Sequence, residues 1–209
     1  MLILAHRGYW KEVLEKNQRS AFERAFKGGF GSETDLRDNA GKIVIAHDMP
    51  KGNELSFEEV LQIMDGRNLP LALNIKADGQ GEAIQELLEK YQHTNYFTFD
   101  MSIADLVCQI QRGLQVFTGL SDILPKPVML ESCAGVWLDS FYTDWFDADT
   151  IDNLLACGKK ICIVSAELHQ RARTKQWEII NKCQKLASQN LMLCTDVPEE
   201  AMRYFSDKN

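Results

Sequence analysis

Residues 2–10 read LILAHRGYW and bring a histidine and an arginine directly after a short apolar run. Such a run is typical of a buried β-strand, and the glycine after the pair favours a turn. The arrangement recurs at residues 42–48, KIVIAHD, where His47 and Asp48 follow an apolar run. Between the two lies SETD at residues 32–35, with its two acidic residues two positions apart. The sequence therefore predicts strands that carry polar side chains at their ends.

Strand-like runs of this kind alternate with segments of helical spacing along the chain. Helical spacing is found in five segments, which are SAFERAFKGG (20–29), GEAIQELLEKY (81–91), SIADLVCQIQRG (102–113), DADTIDNLLACGKK (147–160) and TKQWEIINKCQKLASQ (174–189). Alternation favours parallel strands joined by crossover helices. Eight strand candidates in 209 residues predict a closed (β/α)8 TIM barrel, an α/β fold, rather than an open doubly wound sheet. The candidates are LILA (2–5), SETDLR (32–37), LALNIK (71–76), YFTF (96–99), QVFTGL (115–120), GVWLD (135–139), KICIVS (160–165) and LMLCTD (191–196).

No linker or short repeat divides the chain, so we predict a single domain over residues 1–209. DNAG at residues 38–41 is a strong turn signal between two strand-like runs, which predicts a small hairpin over residues 37–48. The glycines of KGGFG at residues 27–31 precede a strand and lack the spacing of a dinucleotide-binding loop. An open nucleotide-binding sheet is therefore disfavoured.

Composition and charge restrict the classes of partner. The formal net charge of −7 would repel nucleic acid and anionic membranes, so we expect neither as a partner. No run approaches the roughly 20 apolar residues of a membrane span, and His6 comes too early for a signal peptide to precede it. We therefore expect a cytoplasmic protein without a stable membrane anchor. None of the six cysteines forms a C-x-x-C pair, which disfavours zinc and disulfide scaffolds.

Polar side chains cluster at the carboxyl ends of the predicted strands, where parallel barrels build their active sites. Alternation along a strand puts Glu33 and Asp35 on one face, and does the same for Asn74 and Lys76. The residues expected to converge are His6, Arg7, Glu33, Asp35, His47, Asp48, Asn74, Lys76 and Asp100.

The chemistry of these residues suits a phosphodiester. Two carboxylates that face each other need a proton or a cation between them, and oxygen ligands suit Mg²⁺ or Ca²⁺. Arg7 and Lys76 supply positive charge for a phosphate, and His6 and His47 titrate near neutral pH. Charge stabilisation, a base and an acid are what cleavage of a phosphodiester requires.

Structural interpretations of the same residues stay open at this level. A histidine at the end of a strand is often a hydrogen-bonded structural residue, and Glu-x-Asp can be a salt-bridged rim. Asp48 can be a turn former, and Asp100 can cap the helix that opens at SIADL, residues 102–106. The functional interpretation gains weight because all of these residues coincide at successive strand ends.

The stretch AHRG at residues 5–8, followed by NQRSAFERAFKGGFGSETDLRDNAGKIVIAHD at residues 17–48, resembles the glycerophosphodiester phosphodiesterase family. LMLCTDVPEEA at residues 191–201 is similar to the closing strand and turn of that family. The resemblance implies a barrel of the PLC-like phosphodiesterase type and a metal-dependent hydrolase of lipid metabolism. Its substrate would be a small-molecule glycerophosphodiester, cleaved with Mg²⁺ or Ca²⁺ to a phosphomonoester and an alcohol.

By the same resemblance, His6 and His47 would be the acid–base pair. Arg7, together with the retained Lys76, would bind the phosphate, and Glu33 and Asp35 would be metal ligands.

This chain departs from the family pattern at two places that matter. Asn74 stands where the family usually has a metal-binding glutamate, and Asp100 stands where serine is more frequent. We hypothesise that Asp100 restores the missing negative charge, directly or through a water, so that Asn74 and Asp100 complete the metal set. The segment from His47 to Pro70 is also much shorter than the inserted subdomain that usually covers the substrate, which predicts a more open mouth.

Two alternative functions stay open. The same residues could form a lyase that stops at a cyclic phosphate made from a phospholipid-like diester. A non-catalytic barrel that binds a phosphorylated metabolite is favoured by Asn74, whereas the presence of both His6 and His47 favours the enzyme.

Overall fold

A computed structural model of the protein describes residues 1–206. Its strands are β1 (Leu2–His6), β2 (Gly31–Asn39), β3 (Lys42–Ile45), β4 (Leu71–Ile75), β5 (Tyr96–Phe99), β6 (Phe117–Leu120), β7 (Gly135–Leu138), β8 (Lys160–Val164) and β9 (Leu191–Thr195). Its α-helices are α1 (Arg19–Lys27), α2 (Phe57–Met64), α3 (Gly81–Lys90), α4 (Ile103–Gln111), α5 (Ala148–Ala156), α6 (Thr174–Ile180) and α7 (Pro198–Ser206). Short 3-10 helices cover Val13–Glu15, Leu130–Ser132 and Ala166–His169.

The eight predicted strands are all present, and β3 is the return strand of the predicted hairpin. Helices separate successive parallel strands, as in a (β/α)8 barrel, except that a 3-10 helix takes the place of an α-helix between β6 and β7. Within residues 1–206, no helix combines the length and the apolar character needed to cross a bilayer.

The chain divides into two compact units, of which one comprises Ala5–Val116. In this unit β5, β4 and β2 are parallel neighbours, with Asp35 directly opposite Asn74. β3 turns back along the end of β2, from Lys42 opposite Asn39 to Ile45 opposite Leu36. The hairpin therefore returns the chain to the level of Asp35, where the Ala46 amide donates to the Asp35 carbonyl oxygen at 3.0 Å.

The other unit comprises Met1–Leu4 and the chain from Phe117 onward. Here β6, β7, β8 and β9 are parallel neighbours in that order. Their apolar side chains form one core with α5, α6 and α7, in which Val136, Ile161 and Leu193 are fully buried. The prediction of a single domain over residues 1–209 stays a prediction.

Two helices were not predicted, and one is shorter than predicted. α2 begins with a capping box, in which the Glu59 amide donates to Ser56 Oγ at 3.2 Å and the Ser56 amide donates to Glu59 Oε2 at 2.9 Å. α7 follows β9. α6 was expected to continue to residue 189 and ends at Ile180. The amides of Gln184 and Lys185 donate instead to the carboxylate of Asp152 on α5, a tertiary contact that helical spacing does not reveal.

Candidate active site

β1 delivers the His-Arg pair through a backbone that turns sharply. Arg7 has φ 60° and Gly8 has φ 79°, so the chain leaves the strand in the left-handed region immediately after His6. The Arg7 amide donates to the Glu33 carbonyl oxygen at 3.0 Å, and the Gly8 amide donates to Ser32 Oγ at 3.0 Å. A non-glycine residue in this region is uncommon and costs free energy, so the surrounding contacts must hold Arg7 in place.

Asp35 is the centre of a buried ionic network. Its side chain is fully buried, and its Oδ2 lies 2.9 Å from Arg7 Nε while also accepting a hydrogen bond from Asn17 Nδ2 at 2.9 Å. Its Oδ1 lies 3.4 Å from Lys76 Nζ. Thr34 Oγ1 donates to Asn17 Oδ1 at 3.1 Å and fixes the orientation of that amide. Two cations and an amide thus compensate a carboxylate that would be costly to bury alone.

The charge of Glu33 is less well compensated by its neighbours than the charge of Asp35. It is only 2% exposed, and its Oε2 lies 3.8 Å from His6 Nε2. Burial is the main reason that the pKa of Glu33 is raised well above its ordinary value, and the charges of Asp35 and Asp100 add to the rise. A cation beside Glu33 would oppose this rise, because it favours the ionised carboxylate.

Asn74 and Asp100 meet at the ends of β4 and β5. Asn74 Nδ2 donates to Asp100 Oδ2 at 3.2 Å. Asp100 has φ 64°, a left-handed conformation that aspartate and asparagine tolerate better than most residues. Asn74 is buried, and its side-chain oxygen faces away from this hydrogen bond, because the two polar atoms of an amide diverge from one carbon.

His47 follows β3 and is half exposed, with 49% of its side chain accessible. Its Nδ1 lies 2.9 Å from Asp48 Oδ1, and its carbonyl oxygen accepts a hydrogen bond from Arg37 Nε at 3.1 Å. Hydrogen bonding to His47 lowers the pKa of Asp48. A carboxylate beside Nδ1 favours the tautomer with its proton there, which leaves Nε2 as the proton acceptor.

Three buried oxygen atoms of this site have no hydrogen-bond partner among the described residues: Glu33 Oε2, Asp35 Oδ1 and Asn74 Oδ1. Unpaired buried oxygens are unusual, and Mg²⁺ and Ca²⁺ prefer such ligands, so the donor set fits a hard divalent cation. The set needs the Asn74 amide, since no three histidine, cysteine or carboxylate side chains of residues 1–206 form a group that could hold a metal ion. The metal set of Glu33, Asp35, Asn74 and Asp100 stays a prediction.

The predicted residues are connected to different degrees. Contacts link Arg7, Asp35 and Lys76 directly, and a hydrogen bond links Asn74 to Asp100. His6 Nε2 lies 3.8 Å from Glu33 Oε2, whereas the contacts described for His47 are with Asp48 and Arg37 and not with this network. The residues that the sequence interpretation missed are those that hold the others: Asn17, Ser32 and Thr34.

Polar features also occur away from this network. A cavity of about 740 Å³, lined in part by Lys42, Glu58 and Lys90, includes none of the predicted site residues. In the unit that contains β6 to β9, His169 Nε2 lies 2.7 Å from Asp139 Oδ1. Burial raises the pKa of Asp139.

Comparison of the sequence with known family profiles gives no match, and comparison with curated proteins gives none either. Solved structures do match. A glycerophosphodiester phosphodiesterase from Agrobacterium tumefaciens aligns with a TM-score of 0.73 at 14% identity, over 99% of each chain. A phosphodiesterase from Oleispira antarctica, solved in complex with the product sn-glycerol-3-phosphate, aligns with a TM-score of 0.70 at 18% identity, over 98% of this chain and 96% of the other.

A different enzyme aligns less well over the same length. Phosphoribosyl anthranilate isomerase from Thermus thermophilus gives a TM-score of 0.51 at 14% identity, over 98% of this chain and 96% of the other. A shared fold does not set the reaction, because unrelated sites are built on the same barrel. The predicted (β/α)8 barrel is confirmed, and the chain has the fold of the glycerophosphodiester phosphodiesterases along its whole described length.

Proposed function

We propose that this protein is a member of the glycerophosphodiester phosphodiesterase family, a metal-dependent hydrolase that cleaves a small phosphodiester to a phosphomonoester and an alcohol. The observation that carries the proposal is the network around Asp35, where two cations and three buried oxygens without a hydrogen-bond partner among the described residues lie beside two strand ends that bear histidines. The fold likeness supports it, because one aligned phosphodiesterase holds sn-glycerol-3-phosphate as its product.

Arg7 and Lys76 are suited to bind the phosphate. Each contacts the buried Asp35 and keeps about a fifth of its side chain accessible, at 23% and 19%. Pairing with a buried carboxylate holds both side chains in position before substrate arrives, which reduces the entropy lost on binding. The planar guanidinium and the ammonium then stabilise negative charge on the phosphate oxygens.

His6 and His47 are suited to transfer protons on the two sides of the phosphorus atom. His47 is oriented by Asp48 through Nδ1, and His6 lies beside Glu33. One imidazole would take the proton of the attacking oxygen, and the other would give a proton to the departing alcohol. Glu33, Asp35 and Asn74 would hold the divalent cation, which would supply further stabilisation of charge on the phosphate.

The test compares the wild type with His6→Gln and His47→Gln in the hydrolysis of glycerophosphocholine with Mg²⁺ or Ca²⁺. The measured quantity is the rate at which glycerol phosphate is released. Removal of a general acid or base lowers kcat by about 10²- to 10⁴-fold, and chelation should abolish activity of the wild type. His93→Gln is the matched control, because His93 is buried before β5 and bonds the Asn95 carbonyl oxygen. Full activity in both His6→Gln and His47→Gln would contradict the assignment.

Two further outcomes separate the alternatives. Hydrolysis in ¹⁸O-labelled water places solvent oxygen in the phosphomonoester, whereas a lyase accumulates a cyclic phosphate without it. Asn74 is the observation that favours a non-catalytic phosphate-binding protein, since an amide brings no charge to a metal. That function predicts saturable binding of glycerol phosphate with no turnover of several diesters.

A further inference from the structure

Asn74 and Asp100 are hydrogen-bonded to each other at the ends of β4 and β5. We propose that the two residues act together as one metal ligand: Asp100 accepts the hydrogen bond of the Asn74 amide nitrogen, which presents Asn74 Oδ1 to the cation, and supplies the negative charge that the amide lacks. Asp100 is then a positioning residue rather than a direct ligand. The inference rests on the proposed metal-dependent function and concerns how this chain builds its metal site.

The first support is the orientation of the amide. An asparagine side chain can present either its oxygen or its nitrogen, and only its hydrogen bonds decide between the two. Here Asn74 Nδ2 donates to Asp100 Oδ2 at 3.2 Å, so Oδ1 is on the other side of the amide. That oxygen is buried and has no hydrogen-bond partner among the described residues. A carboxylate can only accept, so an ionised Asp100 enforces this orientation.

The second support is the position of the oxygen among its neighbours. Asn74 lies directly opposite Asp35 in the parallel register of β2 and β4, and parallel neighbours point to the same face of a sheet. Asp35 Oδ1 and Glu33 Oε2 are likewise buried without a hydrogen-bond partner. Three such oxygens on two adjacent strands make a donor set that suits a hard cation, although Asp35 Oδ1 also lies 3.4 Å from Lys76 Nζ.

The third support is charge. Asp100 Oδ2 lies 3.2 Å from Asn74 Nδ2, and Asn74 stands directly opposite Asp35, so the charge of Asp100 lies beside the proposed ligands although it bonds the amide nitrogen. A single negative charge would therefore act on the metal site whether it stands at position 74 or at position 100. Carboxylates at both positions would repel each other, and a carboxylate at neither would leave the site one charge short.

The experiment is a titration of Ca²⁺ and of Mg²⁺ by calorimetry, with the metal-induced shift of the unfolding midpoint as a second readout. Asp100→Asn removes the charge but keeps an acceptor for Asn74 Nδ2, and Asp100→Gly removes both while tolerating the positive φ. Loss of an outer partner of a metal ligand weakens affinity by about 10- to 100-fold. We expect Asp100→Asn to fall in this range and Asp100→Gly to bind more weakly still.

Asn74→Glu tests whether the two positions share one charge. In the Asp100→Asn background it should recover most of the lost metal affinity, because a carboxylate then stands at position 74. In the otherwise unchanged protein it should lower the unfolding midpoint of the metal-free form, and Asp100→Asn should reverse that loss. Asp38→Asn, at an exposed position of β2, is the control for a general loss of charge and should bind metal as the wild type does.

Each contrary result has a distinct meaning. If the wild type binds neither ion, the inference and the metal dependence of the proposed function both fail. If the wild type binds metal and both Asp100 variants bind equally well, the inference alone fails. It also fails if the Asp100 variants lower only the metal-free stability, or if Asp38→Asn weakens binding as much as Asp100→Asn.

Discussion

The surroundings of Glu33 oppose its ionisation. Its pKa in the fold lies well above the ordinary value of 4.5, mainly because it is buried. In the presence of a chelator, the unfolded chain loses this proton as the pH rises past about 4.5 while the folded protein keeps it. The free energy of unfolding should therefore fall from that pH upward, until the pH passes the pKa of the folded protein.

Glu33→Gln cannot ionise and should lack this part of the pH dependence. Denaturant unfolding of the two proteins in chelator, at a series of pH values above about 4.5, measures the difference. As the pH rises, the free energy of unfolding of Glu33→Gln should increase relative to that of the wild type. Parallel stability curves would show that Glu33 is not perturbed in the metal-free fold.

His93 is perturbed in the opposite direction and lies outside the candidate site. It is 5% exposed, its Nε2 lies 3.1 Å from the Asn95 carbonyl oxygen, and burial lowers its pKa below the ordinary value of 6.5. As the pH falls through 6.5, the unfolded chain gains a proton before the folded protein does, so stability is lost. His93→Gln should remove this loss on the acid side, as unfolding at pH values from about 7.5 to 5 will show. A wild type no more acid-sensitive than the variant contradicts the assignment.

At the scale of elements, the turn after β1 depends on a close approach to α1. A Cβ atom on Gly8 would lie 2.7 Å from Ala21 Cβ and 2.8 Å from its carbonyl carbon, and φ at Gly8 is 79°. Gly41, in the hairpin turn, has φ 80° but would meet nothing within 4 Å. Both glycines have a positive φ that would strain a residue with a Cβ atom, and they differ in crowding.

Gly8→Ala should therefore destabilise the protein more than Gly41→Ala. A residue forced into the left-handed region costs about 1–3 kcal/mol, and overpacking adds about 1–3 kcal/mol at Gly8 alone. Denaturant unfolding of both variants measures the difference, and the proposed phosphodiesterase activity should fall only in Gly8→Ala because Arg7 precedes the crowded turn. Equal losses of stability would mean that α1 yields to the added methyl group.

The elements differ in how far the sequence predicts them, for physical reasons. The eight parallel strands could be predicted because a short apolar run is itself the signal of a buried strand. DNAG marks the hairpin turn locally. The signal for the start of α2 is also local, although α2 was not predicted. Ser56 and Glu59 form a capping box, which the pattern S-x-x-E indicates. The end of α6 has no local signal, because the amides that follow the helix donate hydrogen bonds to Asp152 on another helix.

The same distinction holds for the site at the scale of the whole molecule. Candidate residues could be named from the sequence, because strand ends converge in a barrel and because His-Arg-Gly, Glu-x-Asp and His-Asp resemble a family, and their roles stay predictions. Their contacts could not be predicted. The bond between Asn74 and Asp100 depends on where β4 and β5 end relative to each other, and the role of Asn17 depends on a turn that brings residues 17 and 35 together.

The charge of the whole molecule sets a final expectation. A net charge of −7 surrounds a site in which the Arg7 and Lys76 cations are paired with the buried Asp35. A polyanion experiences the summed field of the molecule, which is negative, so it should be repelled and should not bind. Fluorescence anisotropy of a labelled DNA duplex should stay unchanged up to about 10⁻⁴ M protein, the weak end of non-specific affinity, at low salt. Anisotropy that rises with protein and is reversed by salt would reveal a basic face that the net charge conceals, and nucleic acid would then return as a possible partner.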